Sequence, residues 1–229
     1  MTSFHREFRT CPKCMNEEEV VLWDRVNVAE DPDLKDRLLR RELMSHDCAN
    51  CGETLTNTNP LLYIDPNAKL QVFYSPTIFM LASELASELA ASKIDQLPTA
   101  LQKELNRAVG EIDESFQLRL VEDISSLMEK IHLTDHGVDD HIMEILKIAL
   151  KRHYQTDEQL PLRQVFFLSA NEDVMLFQAE SEDDGWYSLE MPIDIYREAE
   201  VTLKEAVPFE TTWALINENW ALDWLWSNS

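Results

Sequence analysis

All four cysteines of the 229-residue chain fall in two short hooks, Cys11-Pro12-Lys13-Cys14 and Cys48-Ala49-Asn50-Cys51-Gly52. Two residues between thiols let the backbone turn in a tight knuckle that aims both sulfurs at one ion. Two such knuckles complete the tetrahedral thiolate shell that zinc prefers. Pro12 presets φ inside the first hook, and Gly52 can take the positive φ that often follows the second. A redox dithiol or an iron–sulfur centre would use the same residue type. A thioredoxin-like motif, however, follows a strand and opens a helix, whereas these hooks precede strand and hairpin material. Four thiolates also close the shell, while catalytic zinc keeps a position open. The expectation is one structural zinc ion on Cys11, Cys14, Cys48 and Cys51, with no catalytic residue assigned.

A second group with chemical potential is His132, Asp135, His136, Asp139, Asp140, His141 and Glu144. An acid/base or second metal site near His136 and His141 can be drawn from these types. The plainer reading has the acids capping a helix and the histidines solvated, and it is preferred because no His-Glu-x-x-His arrangement occurs. The terminal tryptophans invite a ligand cage, yet a stripe of Ile216, Trp220 and Trp224 at helical spacing is more often core. Trp220 and Trp224 are expected to pack on the strands of residues 163–189 through Phe166, Leu168, Leu176 and Phe177, leaving Trp226 the most exposed. Only four glycines are present, at 52, 110, 137 and 185. Those positions build no P-loop, dinucleotide fingerprint or nucleophile elbow.

The elements that must position the hooks read as follows. Phe4–Thr10 leads into the first knuckle as an extended arm, and residues 18–28 are β-branched and aromatic enough for a strand. Asp31-Pro32-Asp33 starts a short helix with Leu34, Leu38, Leu39 and Leu43 on one face and Lys35, Arg37, Arg40 and Arg41 mostly on the other. Leu61–Ile64 and Leu70–Tyr74 flank the turn Asp65-Pro66-Asn67-Ala68 as a hairpin. Helices are predicted over residues 78–93 and 98–110. A strand follows at 116–121, then a helix through Ile124, Leu127, Met128 and Ile131. After a break at residues 134–137 a longer helix runs to about 152, with acids at its start and Lys147, Lys151 and Arg152 towards its end, complementing the helix dipole. Residues 157–161 form a linker. Strands at 163–168, 174–178 and 186–189 precede a helix opened by Pro192.

Several of these pieces resemble the CpXC-domain family, named for paired Cys-Pro-X-Cys motifs. The resemblance rests on Cys11-Pro12-Lys13-Cys14, Asp31-Pro32 with its leucine helix, and Cys48 through Gly52. It extends to Leu118-Arg119-Leu120-Val121, Met128-Glu129-Lys130-Ile131, Asp139-Asp140 and Glu144-Ile145-Leu146-Lys147. It covers roughly residues 8–152. Ala49 departs from it, standing where the motif has proline. The resemblance implies a bacterial or archaeal protein that binds metal, and it carries no reaction.

Charge narrows the partners. The formal net charge is −23, and residues 156–229 hold 3 Lys and Arg against 16 Asp and Glu. A phosphate backbone is repelled by such a chain, so no nucleic acid is expected. The opening MTSFHREFRT lacks an apolar run, and no window approaches the ~20 apolar residues of a membrane span. Thiols in metal spacing suit a reducing, cytoplasmic setting. The reading is an α+β protein: a CpXC-like domain over 1–155, divided into a zinc-ribbon-like module (1–75) and a helical part (76–155), then a small acidic α+β unit over 156–229. Its expected role is a zinc-binding scaffold or adaptor that meets a protein partner. The rivals are an enzyme near His136 and His141, and an acidic inhibitor that mimics DNA.

Overall fold

The computed structural model describes residues 1–76, 115–183, 185–208 and 213–228. The helices expected over 78–93 and 98–110 lie outside the described residues. What is described is mixed α+β, with five helices and three sheets. No helix among these residues is long and apolar enough to cross a membrane. The chain divides into two compact units, and the division falls inside one helix, between Met128 and Glu129.

The first unit comprises the described residues up to 128 together with Trp213. Its sheet has five strands, β1 (Ser3–Thr10), β2 (Glu17–Asn27), β5 (Leu61–Asp65), β6 (Leu70–Tyr74) and β7 (Gln117–Val121), in the order β1-β2-β5-β6-β7. The expected arm is thus a full strand, antiparallel to β2 from Thr10 opposite Glu17 to Phe4 opposite Trp23. The predicted hairpin is β5–β6, whose turn is tied by Asp65 Oδ1 accepting the N–H groups of Asn67 and Ala68. β5 pairs parallel with β2, and β7 pairs parallel with β6. Central strands covered on both faces read as continuous apolar runs rather than alternations, and every residue of β6 is buried.

A parallel pair needs a crossover, and the one from β2 to β5 carries the second hook. Helix α1 (Asp33–Leu39) comes first, with Leu34 and Leu38 buried. Pro32 occupies its N-cap, and no side chain caps it. The strands β3 (Ser45–Asp47) and β4 (Thr54–Thr56) then form a two-stranded antiparallel sheet with the hook between them.

The second unit holds residues 129–208 and 214–228 of those described. Strands β8 (Leu162–Ala170), β9 (Val174–Ser181) and β10 (Trp186–Pro192) form an antiparallel sheet in the order β10-β9-β8. The helix that crosses the division is α2 (Ile124–Asp135). Gly137, at φ 65°, breaks the chain after it, where a β-carbon would be strained. Helix α3 (Asp140–Asp157) follows, capped by Asp139, whose carboxylate accepts the N–H groups of His141 and Ile142. Ile142, Met143 and Leu150 of α3 join Phe167, Met175 and Phe177 of the sheet and Tyr196 of α4 (Ile193–Leu203) in one core. The last helix is α5 (Glu218–Ser227), capped by the Asn217 side chain.

The tryptophans correct one expectation. Trp220 and Trp224 are half-buried rather than core. They stack on one another at 6.5 Å, and the Trp220 ring meets His141 of α3 edge-on at 4.7 Å. Their neighbour is a helix rather than the strands. Trp226 is 88% exposed, as expected, and the fully buried indole is that of Trp213, edge-on to Phe73 at 6.4 Å.

Candidate metal centre

Each hook is a knuckle at the tip of a strand pair, the first joining β1 to β2 and the second joining β3 to β4. The two are closed by the same pair of backbone hydrogen bonds. In the first, Cys11 N–H donates to the Asn16 carbonyl (2.8 Å) and Met15 N–H to the Cys11 carbonyl (2.9 Å). In the second, Cys48 N–H donates to the Glu53 carbonyl (2.8 Å) and Gly52 N–H to the Cys48 carbonyl (2.8 Å). The residue after the second cysteine has positive φ in both, Met15 at 58° and Gly52 at 69°. The glycine was legible as such a position. The methionine was not, because a side chain there is disfavoured and only the closure of the knuckle enforces it.

The four sulfurs meet. Cys11 Sγ lies 3.7 Å from Cys51 Sγ, Cys14 Sγ lies 3.6 Å from Cys48 Sγ, and all four are within 4.8 Å of one another. Disulfides are excluded by these separations, since a bond requires about 2.05 Å, and the cysteines are free. A tetrahedron of thiolates about 2.3 Å from a central ion has an edge of about 3.8 Å. The observed spacing is therefore that of sulfurs arranged to hold a metal ion, with Cys11 and Cys48 buried and Cys14 and Cys51 half-buried.

The surroundings make the thiols unequal. The Asn50 side chain, then the Asn16 backbone N–H, stabilise the Cys14 thiolate and bring that group down to about 6. Backbone donors favour the other thiolates too, Glu53 for Cys51 and the Cys51 and Asn50 amides for Cys48. Burial and the adjoining sulfurs outweigh them, raising Cys48 and pushing Cys51 up to about 12. Metal binding takes up thiolates and so releases protons, which makes the affinity of such a site fall as pH is lowered. Two contacts brace the knuckles. Lys13 Nζ reaches Glu53 Oε2 at 2.6 Å, tying the first hook to the second. Glu18 Oε2 on β2 accepts the Ala49 N–H at 3.1 Å. Pro12 has no N–H at the corresponding place in the first hook, so this tether is available only to the second.

The second predicted cluster is dispersed by the fold. His136 is exposed, with Nδ1 2.8 Å from the His132 carbonyl and its ring edge-on to Phe167. His141 is buried, with Nδ1 facing Asp139 at 3.3 Å and Asp140 at 3.4 Å. Ligand atoms of Asp139, Asp140 and His141 do converge. The Asp139 carboxylate nevertheless caps α3, and Asp140 Oδ2 holds Lys130 Nζ at 2.9 Å. Asp139 thus caps the helix as the sequence suggested, whereas Asp140 is buried on Lys130 and His141 is buried rather than solvated.

The larger surprise is the charge around them. Lys147 Nζ lies between Glu129 (3.0 and 3.1 Å) and Glu144 (3.0 Å), and Lys130 Nζ also donates to the Ile216 carbonyl at 2.7 Å. Glu129 accepts the Phe167 N–H at 2.7 Å. All these side chains are buried. Lys147 is thus not a surface complement to the helix dipole. Burial alone would lower it, but the facing carboxylates of Glu129 and Glu144 raise it on balance. Burial raises Glu129 in spite of Lys147. The spacing of Asp140, Glu144, Lys147 and Lys151 by four, three and four places all of them on one helical stripe, which was the available signal.

The family model described as CpXC protein matches residues 10–147 of the chain. The chain belongs to the CpXC family. The CpXC segment contains both knuckles and every charged side chain of the buried network, while Phe167 and Ile216, which complete that network, lie beyond it. No curated protein and no solved structure matches the chain.

Proposed function

We propose that Cys11, Cys14, Cys48 and Cys51 bind one structural zinc ion in a zinc-ribbon-like module, and that the chain is a non-enzymatic scaffold or adaptor for a protein partner. The observation that carries this reading is the closed set of four sulfurs at tetrahedral spacing. A shell of four thiolates leaves no position for substrate or water, which is the mark of structural zinc. In the second unit the acids that would form an acid/base site are taken up by ion pairs and a helix cap. Free thiols at this spacing favour a reducing compartment such as a bacterial cytoplasm. The net charge of −23 favours association with protein over nucleic acid.

Elemental analysis of the purified protein should find one zinc per chain, and cobalt exchanged into the site should give the visible bands of a tetrahedral thiolate complex. Cys48→Ser should release the metal and expose the first unit to protease. Structural zinc contributes an apparent free energy of about 10–16 kcal/mol, so the knuckles depend on it. Protein free of zinc, or an iron–sulfur spectrum, would overturn the assignment.

A further inference from the structure

The hairpin β1–β2 has two faces. His5, Glu7 and Arg9 lie on the side of Val20 and Leu22, which are buried. On the other side Phe4 is 50%, Phe8 64% and Val21 39% exposed, and Trp23 packs on Phe4 at 5.3 Å. Arg6 sits in the middle of this apolar strip and reaches Glu19 at 2.9 Å. Among the described residues β1 pairs only with β2, and seven of its eight residues are exposed. Half of its backbone N–H and C=O groups therefore point away from the sheet, a ready template for another strand.

The sequence of β1 says which strand fits. Laid antiparallel on a second copy of itself about a two-fold axis at Arg6, it places Phe4 opposite the second copy's Phe8, and Phe8 opposite its Phe4. His5 then faces Glu7, and Glu7 faces His5. Aromatic pairs and opposite charges across strands are the stabilising combinations. Moving the axis to Glu7 sets that acid against itself and His5 against Arg9, and moving it to His5 pairs Phe4 with Arg6. Parallel pairing in register sets every charge against its own kind. The one unfavourable contact of the preferred register is Arg6 against Arg6, and each arginine already carries its own carboxylate partner, Glu19. Charges on an edge strand ordinarily guard against pairing, but here His5 and Glu7 meet opposite charges and Arg9 meets the neutral Ser3, which leaves Arg6 alone against its own kind.

We propose that β1 is a homodimerisation strand, which joins two five-stranded sheets of two copies of this chain into one continuous sheet and covers the Phe4–Phe8 strip. A single strand pair is a small interface by the standard of stable complexes. Association is therefore of micromolar strength, and added salt strengthens it by screening the repulsion between two acidic chains.

The test is sedimentation of the zinc-loaded full chain over a range of concentrations at physiological salt. The wild type should show a monomer–dimer equilibrium. Arg6→Glu alone should be monomeric, because two carboxylates now oppose each other beside Glu19. Mixed with wild type, it should form a heterodimer on the order of tenfold tighter than the wild-type dimer, since unlike charges now meet at the axis. Zinc content and circular dichroism of each sample separate a folding or metal defect from a lost interface. Should Arg6→Glu fail to fold, Arg6→Thr removes the like-charge contact and should tighten the dimer several-fold. A wild type that stays monomeric throughout overturns the proposal. So does dimerisation indifferent to Arg6, which would place the contact on another surface, and so does a mixture that dimerises no better than wild type.

Discussion

Removing Lys147 from the buried network should be the most damaging single change in the second unit. Its ammonium stands 3.0 Å from Glu144 and 3.0 and 3.1 Å from the two oxygens of Glu129. Lys147→Met preserves most of the volume and deletes the charge, leaving two buried carboxylates without their shared cation. Breaking a buried pair in this way costs about 3–5 kcal/mol, a fifth or more of the ~5–15 kcal/mol that holds a typical domain together. For a unit of this size each kcal/mol shifts the melting temperature by about 4–8 °C, so a fall of roughly 12–40 °C is expected. The pH response gives a sharper signature. Burial, opposed by Lys147, already raises Glu129 above the usual carboxylate range, and loss of the lysine raises it further. A carboxyl with a raised folded value binds its proton more tightly when folded, so its contribution is present at acid pH and is lost as pH rises through that value. The variant should therefore melt higher at pH 5 than at pH 8. Calorimetry of wild type and variant at both values measures this. A loss below about 1 kcal/mol at neutral pH, with no acid rescue, would refute the view that the network is dry and mutually dependent.

The knuckle backbones make a paired prediction: Gly52→Ala meets no atom within 4 Å but is strained by its φ of 69°, and should destabilise the metal-bound module by about 1–2 kcal/mol. Met15→Gly, at φ 58° in the equivalent place, should be neutral or stabilising by up to about 1 kcal/mol; both are read by chemical denaturation of the zinc-loaded protein. Trp213→Ala should cost about 3–5 kcal/mol because its indole is fully buried against Phe73, whereas Trp226→Ala should leave the melting temperature unchanged. Equal effects from the two would show that burial does not govern these positions.

What the sequence determined by itself was local. Spacing within each hook dictates a knuckle, because two intervening residues leave the backbone one compact way to aim two sulfurs together. Asp65 through Ala68 dictates the β5–β6 turn, Asp139 the start of α3 and Asn171-Glu172-Asp173 the β8–β9 turn, since each works through hydrogen bonds a few residues long. Tertiary structure alone decided which strands lie side by side. The parallel pairings of β2 with β5 and of β6 with β7 join segments far apart in the chain, and burial on both faces erased the alternation that would have marked β6. It also decided the state of each charge. Lys147 reads as an ordinary helix cation until Glu129 and Glu144 are seen to enclose it, and Trp220 reads as sheet core until α5 is found against α3. A helical stripe records that one face differs from the others. Which partner that face meets, and whether water reaches it, depends on contacts that the periodicity of a single helix does not encode.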